Sequence, residues 1–184
     1  MTAQRPETLI LEGRKVRLCT RPLDRWLSQQ RLQIAVESPV KDCLRNYLGQ
    51  WQLRQGRLYL EGVAAASDGG RVHRPGLGWS SGVSVQSLFP DAAQPVWAQW
   101  FTGRLRCPRG KLLVRREFAY LSVWQEDVLI EIEEGQARGM TVRKNRAELP
   151  PPVRSAVRVQ HPESVVERFV GTGPAAGDLP VGPA

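Results

Sequence analysis

The sequence has little cysteine and little histidine, and this scarcity excludes two common sources of stability in small proteins. Cys19, Cys43 and Cys107 are odd in number and form no C-x-x-C pair, and only two histidines accompany them among 184 residues. Isolated cysteines of this kind fit neither a disulfide framework nor a zinc site. We therefore expect three reduced thiols, no metal and no other cofactor.

Long apolar runs are lacking as well. The amino-terminal segment reaches only three consecutive apolar residues, 9–11, before Glu12, which is too few for a signal peptide. No later stretch approaches the ~18 apolar residues that a membrane-spanning helix needs. These absences predict a cytoplasmic protein that has no membrane partner.

Charge, by contrast, is plentiful and mostly of one sign. The formal net charge is +8, from 26 lysines and arginines against 18 acids. A positive balance favours association with anionic partners. Abundant Arg together with Ala, Gly and Pro is also typical of a GC-rich genome, so the net charge alone identifies no partner.

Four segments have the pattern of a strand, a turn containing glycine, and a second strand. They span residues 9–18, 47–63, 96–115 and 128–143, and the third turn is predicted at 107–110. Glycine supplies the positive φ that a tight hairpin needs, and period-2 alternation on either side supplies two faces. Sequential hairpins of this kind predict an antiparallel sheet arranged as a meander, barrel or sandwich.

The remaining segments are one helix, one loop and a tail. Residues 20–28 predict a short helix, with Thr20 as its amino-terminal cap and proline in its first turn. Residues 64–81 predict a Gly-rich loop insertion, and 149–184 predict a Pro/Gly/Ala-rich disordered tail. The fold class expected is therefore a β-rich α+β domain over 5–148 with one short helix.

Two motifs suggest hydrolytic or metal chemistry. Gly78-Trp79-Ser80-Ser81-Gly82 matches G-x-S-x-G, which works only on a sharp turn from a strand into a helix. A Gly-rich loop precedes the match and a strand-like run at 83–86 follows it, so we interpret it as a Gly/Ser loop. His73, between Arg71 and Arg74, is interpreted as an exposed loop histidine, because neighbouring cations oppose both a proton and a metal.

Paired acids and a thiol are the other catalytic candidates. Glu131 and Glu133 share one strand face, which is typical of paired-carboxylate chemistry but equally of a solvated face paired with Arg138 or Arg143. We favour the solvated face. The cations on either side of Cys107 favour its thiolate, but no base is near it in sequence, so a reactive, non-catalytic thiol is expected.

Residues 104–116 carry six cations and no acid, which is the strongest signal for nucleic-acid binding. Cations hold phosphates and exposed aromatic side chains stack on bases, and Trp97 and Phe101 lie just upstream. Alternation nevertheless assigns Trp97, Phe101 and Leu105 to the core. The predicted anion-binding residues are Arg104, Arg106, Arg109, Lys111, Arg115 and Arg116.

Several segments together resemble a family of small, uncharacterised bacterial β-rich proteins. The matching segments are 44–47 leading to Trp51, 56–60, 88–90, 97–103 and 108–112, so the resemblance covers about residues 8–143. It implies one compact β-rich domain and carries no activity or site residue with it.

Taken together, these observations favour a non-catalytic module that recognises another macromolecule, with a protein as the first choice of partner. The alternative is nucleic-acid binding through 104–116. An enzyme that uses Glu131, Glu133 or Cys107 ranks third.

The composition of the predicted tail generates a first test. Because 149–184 lacks periodic apolar residues, a chain that ends at residue 148 should melt within about 5 °C of the full chain, which is on the order of 1 kcal/mol for a domain of this size. Thermal unfolding of the two proteins checks this. A larger drop would mean that the tail stabilises the domain.

Overall fold

A computed structural model of the chain describes residues 3–117 and 120–146, and the predicted tail at 149–184 lies outside them. Within these residues there are eleven strands and two helices. In chain order they are β1 (Glu7–Leu11), β2 (Arg14–Leu18), α1 (Pro22–Gln29), β3 (Gln33–Ala35), β4 (Tyr47–Arg54), β5 (Arg57–Ala65), β6 (Arg71–Arg74), β7 (Gly78–Ser81), α2 (Val85–Leu88), β8 (Val96–Trp97), β9 (Gly103–Val114), β10 (Val123–Glu133) and β11 (Gln136–Lys144). The β-rich class is confirmed, with one helix more than predicted.

The main sheet curls into a partly closed barrel. Its strand order is β2-β1-β4-β5-β11-β10-β9, with β8 also paired to β5, and every pair is antiparallel except β1 with β4. The two end strands meet again, because the Cys19 N–H just after β2 donates to the Arg106 carbonyl of β9 at 2.8 Å. The inward faces bury the core, in which Leu9, Trp51 and Ile130 are fully enclosed.

Three of the four predicted turns are confirmed. At Glu12-Gly13, Gln55-Gly56 and Glu134-Gly135 both residues have positive φ, as a two-residue hairpin turn of the right twist requires. The predicted turn at 107–110 is wrong, because β9 continues through it beside β10. Gly110 also has a positive φ of 79°, but it lies where the β9–β10 register shifts and so forms a bulge instead of a turn.

The segment 64–81 is not the loop that was predicted. It contains β6 and β7, which pair as a hairpin and join β3 in a second, three-stranded sheet. Val72 anchors this sheet, since it is almost fully buried in the common core. Arginines and glycines around this single apolar residue hide the strand pattern in the sequence.

The helices differ from expectation at their amino termini. Thr20 does not cap α1, because its hydroxyl is engaged with β9, where it accepts from the Arg106 N–H at 2.9 Å. The strand-like run at 83–86 instead begins α2, because Ser84 and Ser87 form a reciprocal capping box. Neither helix has the length and apolarity that crossing a membrane would require.

The edge of β5 accommodates two different neighbours. Near the turn, Arg57 pairs with Gln136 of β11. Two residues further on, β8 takes over the same edge, pairing Val96 and Trp97 with Leu60 and Tyr59. Because β8 occupies this position, β11 leaves β5 after Ala137 and continues beside β10 alone.

A buried acid lies within the core. Glu7 is 2% exposed, and its carboxylate accepts a hydrogen bond from the Trp51 indole N–H at 2.5 Å. Arg45 Nε lies 3.2 Å from the other carboxylate oxygen, and the Arg45 side chain is itself buried. Gly49 makes room for this cluster, because a Cβ there would lie 2.6 Å from both Glu7 Oε2 and Trp51 Nε1.

This close approach predicts that Gly49→Ala destabilises the protein by about 1–3 kcal/mol, the usual cost of overpacking a core. Gly62→Ala is the matched control on the neighbouring strand, since the nearest atom to its Cβ would be 3.4 Å away. Urea unfolding of both variants gives the comparison. Equal losses would show that the Glu7 cluster does not need the glycine.

Candidate functional site

Half of the predicted anion-binding residues are already neutralised. Arg104 and Arg106 share a face of β9, as predicted, and Leu105 between them is buried. Each of three arginines on β9 contacts a carboxylate of β10. The pairs are Arg104 with Glu131, Arg106 with Asp127 at 2.9 Å, and Arg109 with Glu126 at 2.7 Å.

Of these three β10 carboxylates, Asp127 accepts the most hydrogen bonds. Its buried carboxylate accepts hydrogen bonds from Arg106, Arg143 and Asn145 at 2.8–3.0 Å. Burial raises its pKa, but the hydrogen bonds from Arg143 and Asn145 and the charge of Arg106 outweigh burial and hold the pKa below its usual range. Arg106 therefore serves the β9–β10 pairing and is not available to a ligand phosphate.

The other predicted cations differ in their surroundings. Lys111 and Arg115 are exposed, and neither has a carboxylate partner among the described residues. Arg116 is half-buried, and its backbone N–H donates to the Ser122 hydroxyl at 3.1 Å. The predicted surface thus retains two exposed cations, Lys111 on β9 and Arg115 just after it, that contact none of the described carboxylates.

The aromatic residues upstream of this surface are packed. Phe101 is buried, as predicted, whereas Trp97 is half-buried on β8 and does not share a strand with Leu105. Trp100 stacks on Phe89, and its indole N–H donates to the Pro22 carbonyl at 3.0 Å. These rings therefore contribute to the packing around α1 and α2.

The catalytic candidates are dispersed. Ser80 lies within β7 and donates to the Val72 carbonyl at 3.4 Å, so the serine of the G-x-S-x-G match is in the strand and not on the turn that leads into α2. His73 is half-buried in β6 beside Trp79, so its prediction as an exposed loop residue is wrong. Within the described residues no group of three His, Cys, Asp or Glu side chains could hold a metal ion.

The structure also tests the predictions for Glu131, Glu133 and Cys107. Glu131 and Glu133 are exposed, which confirms the solvated face, and Glu133 contacts Arg138 at 2.8 Å. The prediction of a reactive Cys107 is wrong. Burial, with a smaller contribution from Cys19 and Asp127, raises the pKa of the Cys107 thiol to about 12, so the neighbouring arginines do not stabilise a thiolate.

The outer edge of β11 is the first site that sequence reasoning missed. No described strand pairs with Arg138–Lys144 on the side away from β10, and all seven residues are exposed. Met140 and Val142 lie opposite buried Ile130 and Val128, yet they are 49% and 48% exposed. Alternation in the sequence could not show that β8 occupies the place of a strand that would cover them.

The second missed site is the seam between β2 and β9. A groove of about 510 Å³ opens there, lined by Lys15 and Arg17 of β2 and by Arg109 of β9, among others. Three cations within four residues, 14–17, were a signal in the sequence. That signal could be interpreted only once the fold placed β2 beside β9.

Comparison of this chain with protein-family models, with curated proteins and with solved structures finds no match.

The buried acid generates a prediction about pH. Burial raises the pKa of Glu7 to about 7 against the opposing effects of Arg45 and Trp51, so the folded state favours the protonated form. The associated stability is fully present below the ordinary pKa of 4.5 and is lost as the pH rises through about 7. Relative to wild type, Glu7→Gln should therefore gain about 2 kcal/mol between pH 5 and pH 8, at 1.36 kcal/mol per pKa unit.

Urea unfolding at both pH values measures this difference, with Glu61→Gln at an exposed position of β5 as control. The comparison concerns only the change between the two pH values, because loss of the Arg45 partner lowers stability at both. A constant difference would show that Glu7 is ionised throughout.

Proposed function

We propose that this protein is a non-catalytic recognition module that binds an extended segment of another protein along the outer edge of β11. The observation that carries the proposal is the unpaired edge of Arg138–Lys144, exposed because β8 takes the place beside β5. An unpaired edge presents a row of N–H and C=O groups that another chain can pair with. Natural proteins use such edges to capture extended peptides.

The side chains of β11 specify what such a segment would contain. Met140 and Val142 face the core side of the sheet and remain about half exposed. A bound strand would place its own apolar residues beside them, one on every second position. Burial of this apolar surface adds to the affinity that main-chain hydrogen bonds supply.

The charged side chains of β11 further restrict the sequence of the bound segment. Arg138 and Arg143 are more than half exposed although each contacts one carboxylate, and Lys144 contacts none of the described carboxylates. Opposite charges across neighbouring strands are stabilising and like charges are not. The segment that fits this edge therefore alternates apolar and acidic residues.

The surroundings of the candidate nucleophiles, two thiols and one hydroxyl, support a non-catalytic function. Burial raises the pKa of Cys19 to about 11 and that of Cys107 to about 12, so neither thiol supplies a thiolate near neutral pH. The Ser80 hydroxyl is directed to a backbone carbonyl within its own hairpin. A binding surface is thus the function that the described residues support best.

Selection from a library of random displayed peptides tests the proposal. Enriched peptides should alternate apolar and acidic residues, and they should bind Met140→Ser/Val142→Ser about tenfold or more weakly, a loss of about 1.4 kcal/mol. Leu44→Ser/Leu77→Ser removes two apolar residues outside β11 that are even more exposed, and it should bind normally.

Hydrogen exchange then locates the bound peptide. On binding, protection is expected at the amides of 140, 142 and 144, which point away from β10 and become hydrogen-bonded to the added strand, whereas the alternate amides already bond to β10. Protection elsewhere would contradict the proposal. Protection of these three amides in the isolated protein would contradict it as well, because the edge would already be occupied.

A further inference from the structure

The seam between β2 and β9 is joined at only one end. The Cys19 N–H and the Thr20 hydroxyl bind the backbone of Arg104 and Arg106. Beyond this point, toward Arg14, no backbone hydrogen bond joins the two strands within the described part of the chain. The open part of the seam forms the groove of about 510 Å³.

Cations face each other across this opening. Lys15 and Arg17 line it from β2, and Arg109 and Gly110 line it from β9, with exposed Lys111 next in sequence. A smaller cavity of about 180 Å³ shares Arg109 and adds Arg14 and the acid Glu12. Like charges on adjacent strands repel, so the arrangement favours an anion between them.

Few carboxylates are present to supply that negative charge. Glu7 is among the lining residues, but its carboxylate is buried against Trp51 and Arg45. Glu126 contacts Arg109, and Glu12 lies at the rim of the smaller cavity. Among the described residues, neither Lys15 nor Lys111 has a carboxylate within ion-pair distance. The groove therefore keeps an excess of positive charge although Arg109 is neutralised.

An aromatic ring lies at one end of the same groove. A cavity of about 160 Å³ adjoins it through Pro6 and Arg17 and is lined by Tyr120 and Trp124. The Arg17 guanidinium lies over the Trp124 ring, 4.4 Å from its centroid. A cationic channel that ends on a half-exposed indole offers sites for phosphate groups and for a stacked base.

We propose that the open seam between β2 and β9 binds single-stranded nucleic acid. Phosphates contact Lys15, Arg17 and Lys111, and unpaired backbone N–H groups along the seam add hydrogen bonds of the kind that fix a phosphate chain in register. A base stacks on the exposed guanidinium of Arg17, which itself covers one face of the Trp124 ring. The groove has the volume of a site for one small ligand, which admits a single strand and not a duplex.

Fluorescence anisotropy with a short labelled deoxythymidine strand tests the proposal on the full chain. Binding should weaken steeply between about 50 and 200 mM salt, because neutralised phosphates release counterions. Lys15→Glu/Lys111→Glu should weaken binding about tenfold or more and reduce the salt slope by roughly 1–2. Arg17→Gln should weaken binding while lowering the melting temperature by no more than about 5 °C, because an exposed cation–π contact contributes only about 0.5–1 kcal/mol.

Arg25→Glu/Arg31→Glu is the matched control, because it removes two exposed cations outside the seam and changes the net charge equally. It should bind as wild type does. Equal loss in this control would show that only net charge matters and would overturn the proposal. Absence of salt-dependent binding, or tighter binding of the same sequence as a duplex, would overturn it too.

The groove is separate from the peptide-binding edge of β11. Met140→Ser/Val142→Ser should leave oligonucleotide affinity unchanged, because β11 does not line the groove. Failure of one proposal therefore leaves the other intact.

Discussion

The architecture depends on which strand occupies the edge of β5. An edge position can hydrogen-bond to one neighbour only, and β8 holds it at Tyr59 and Leu60 while β11 holds it at Arg57. Once β8 is in place, β11 cannot follow β5, and the sheet stays open between them. The exposed edge of β11 and the partial exposure of Met140 and Val142 both follow from this competition.

Local sequence signals were sufficient where a feature depends on neighbouring residues. Three X-Gly pairs marked real turns, and alternation placed Phe101 and Leu105 in the core. The same signal failed at Gly110, because positive φ serves a bulge as well as a turn, and only continuous pairing with β10 distinguishes the two. The hairpin of β6 and β7 escaped detection because its strands bring a single strongly buried residue, Val72.

The candidate sites were harder to predict, because they arise from residues distant in sequence. A run of cations at 104–116 is visible in the sequence, but the carboxylates that neutralise three of them belong to β10 and depend on its register. Burial reversed the expectation for Cys107 in the same way, because desolvation is the largest cause of the raised pKa of its thiol. The number and sign of the charged residues were predictable from the sequence. Which of them remain free to bind a ligand was not.

The connection at the seam also has a kinetic consequence. Thr20 and Arg106 are 86 residues apart in sequence, whereas β9, β10 and β11 pair with their neighbours in order along the chain. Closing a long loop costs more chain entropy than forming adjacent hairpins, so contacts of high sequence separation form late. The meander of β9 to β11 can assemble before β2 arrives, and the seam completes the barrel. A ligand that needs this groove would therefore bind only to the protein that has finished folding.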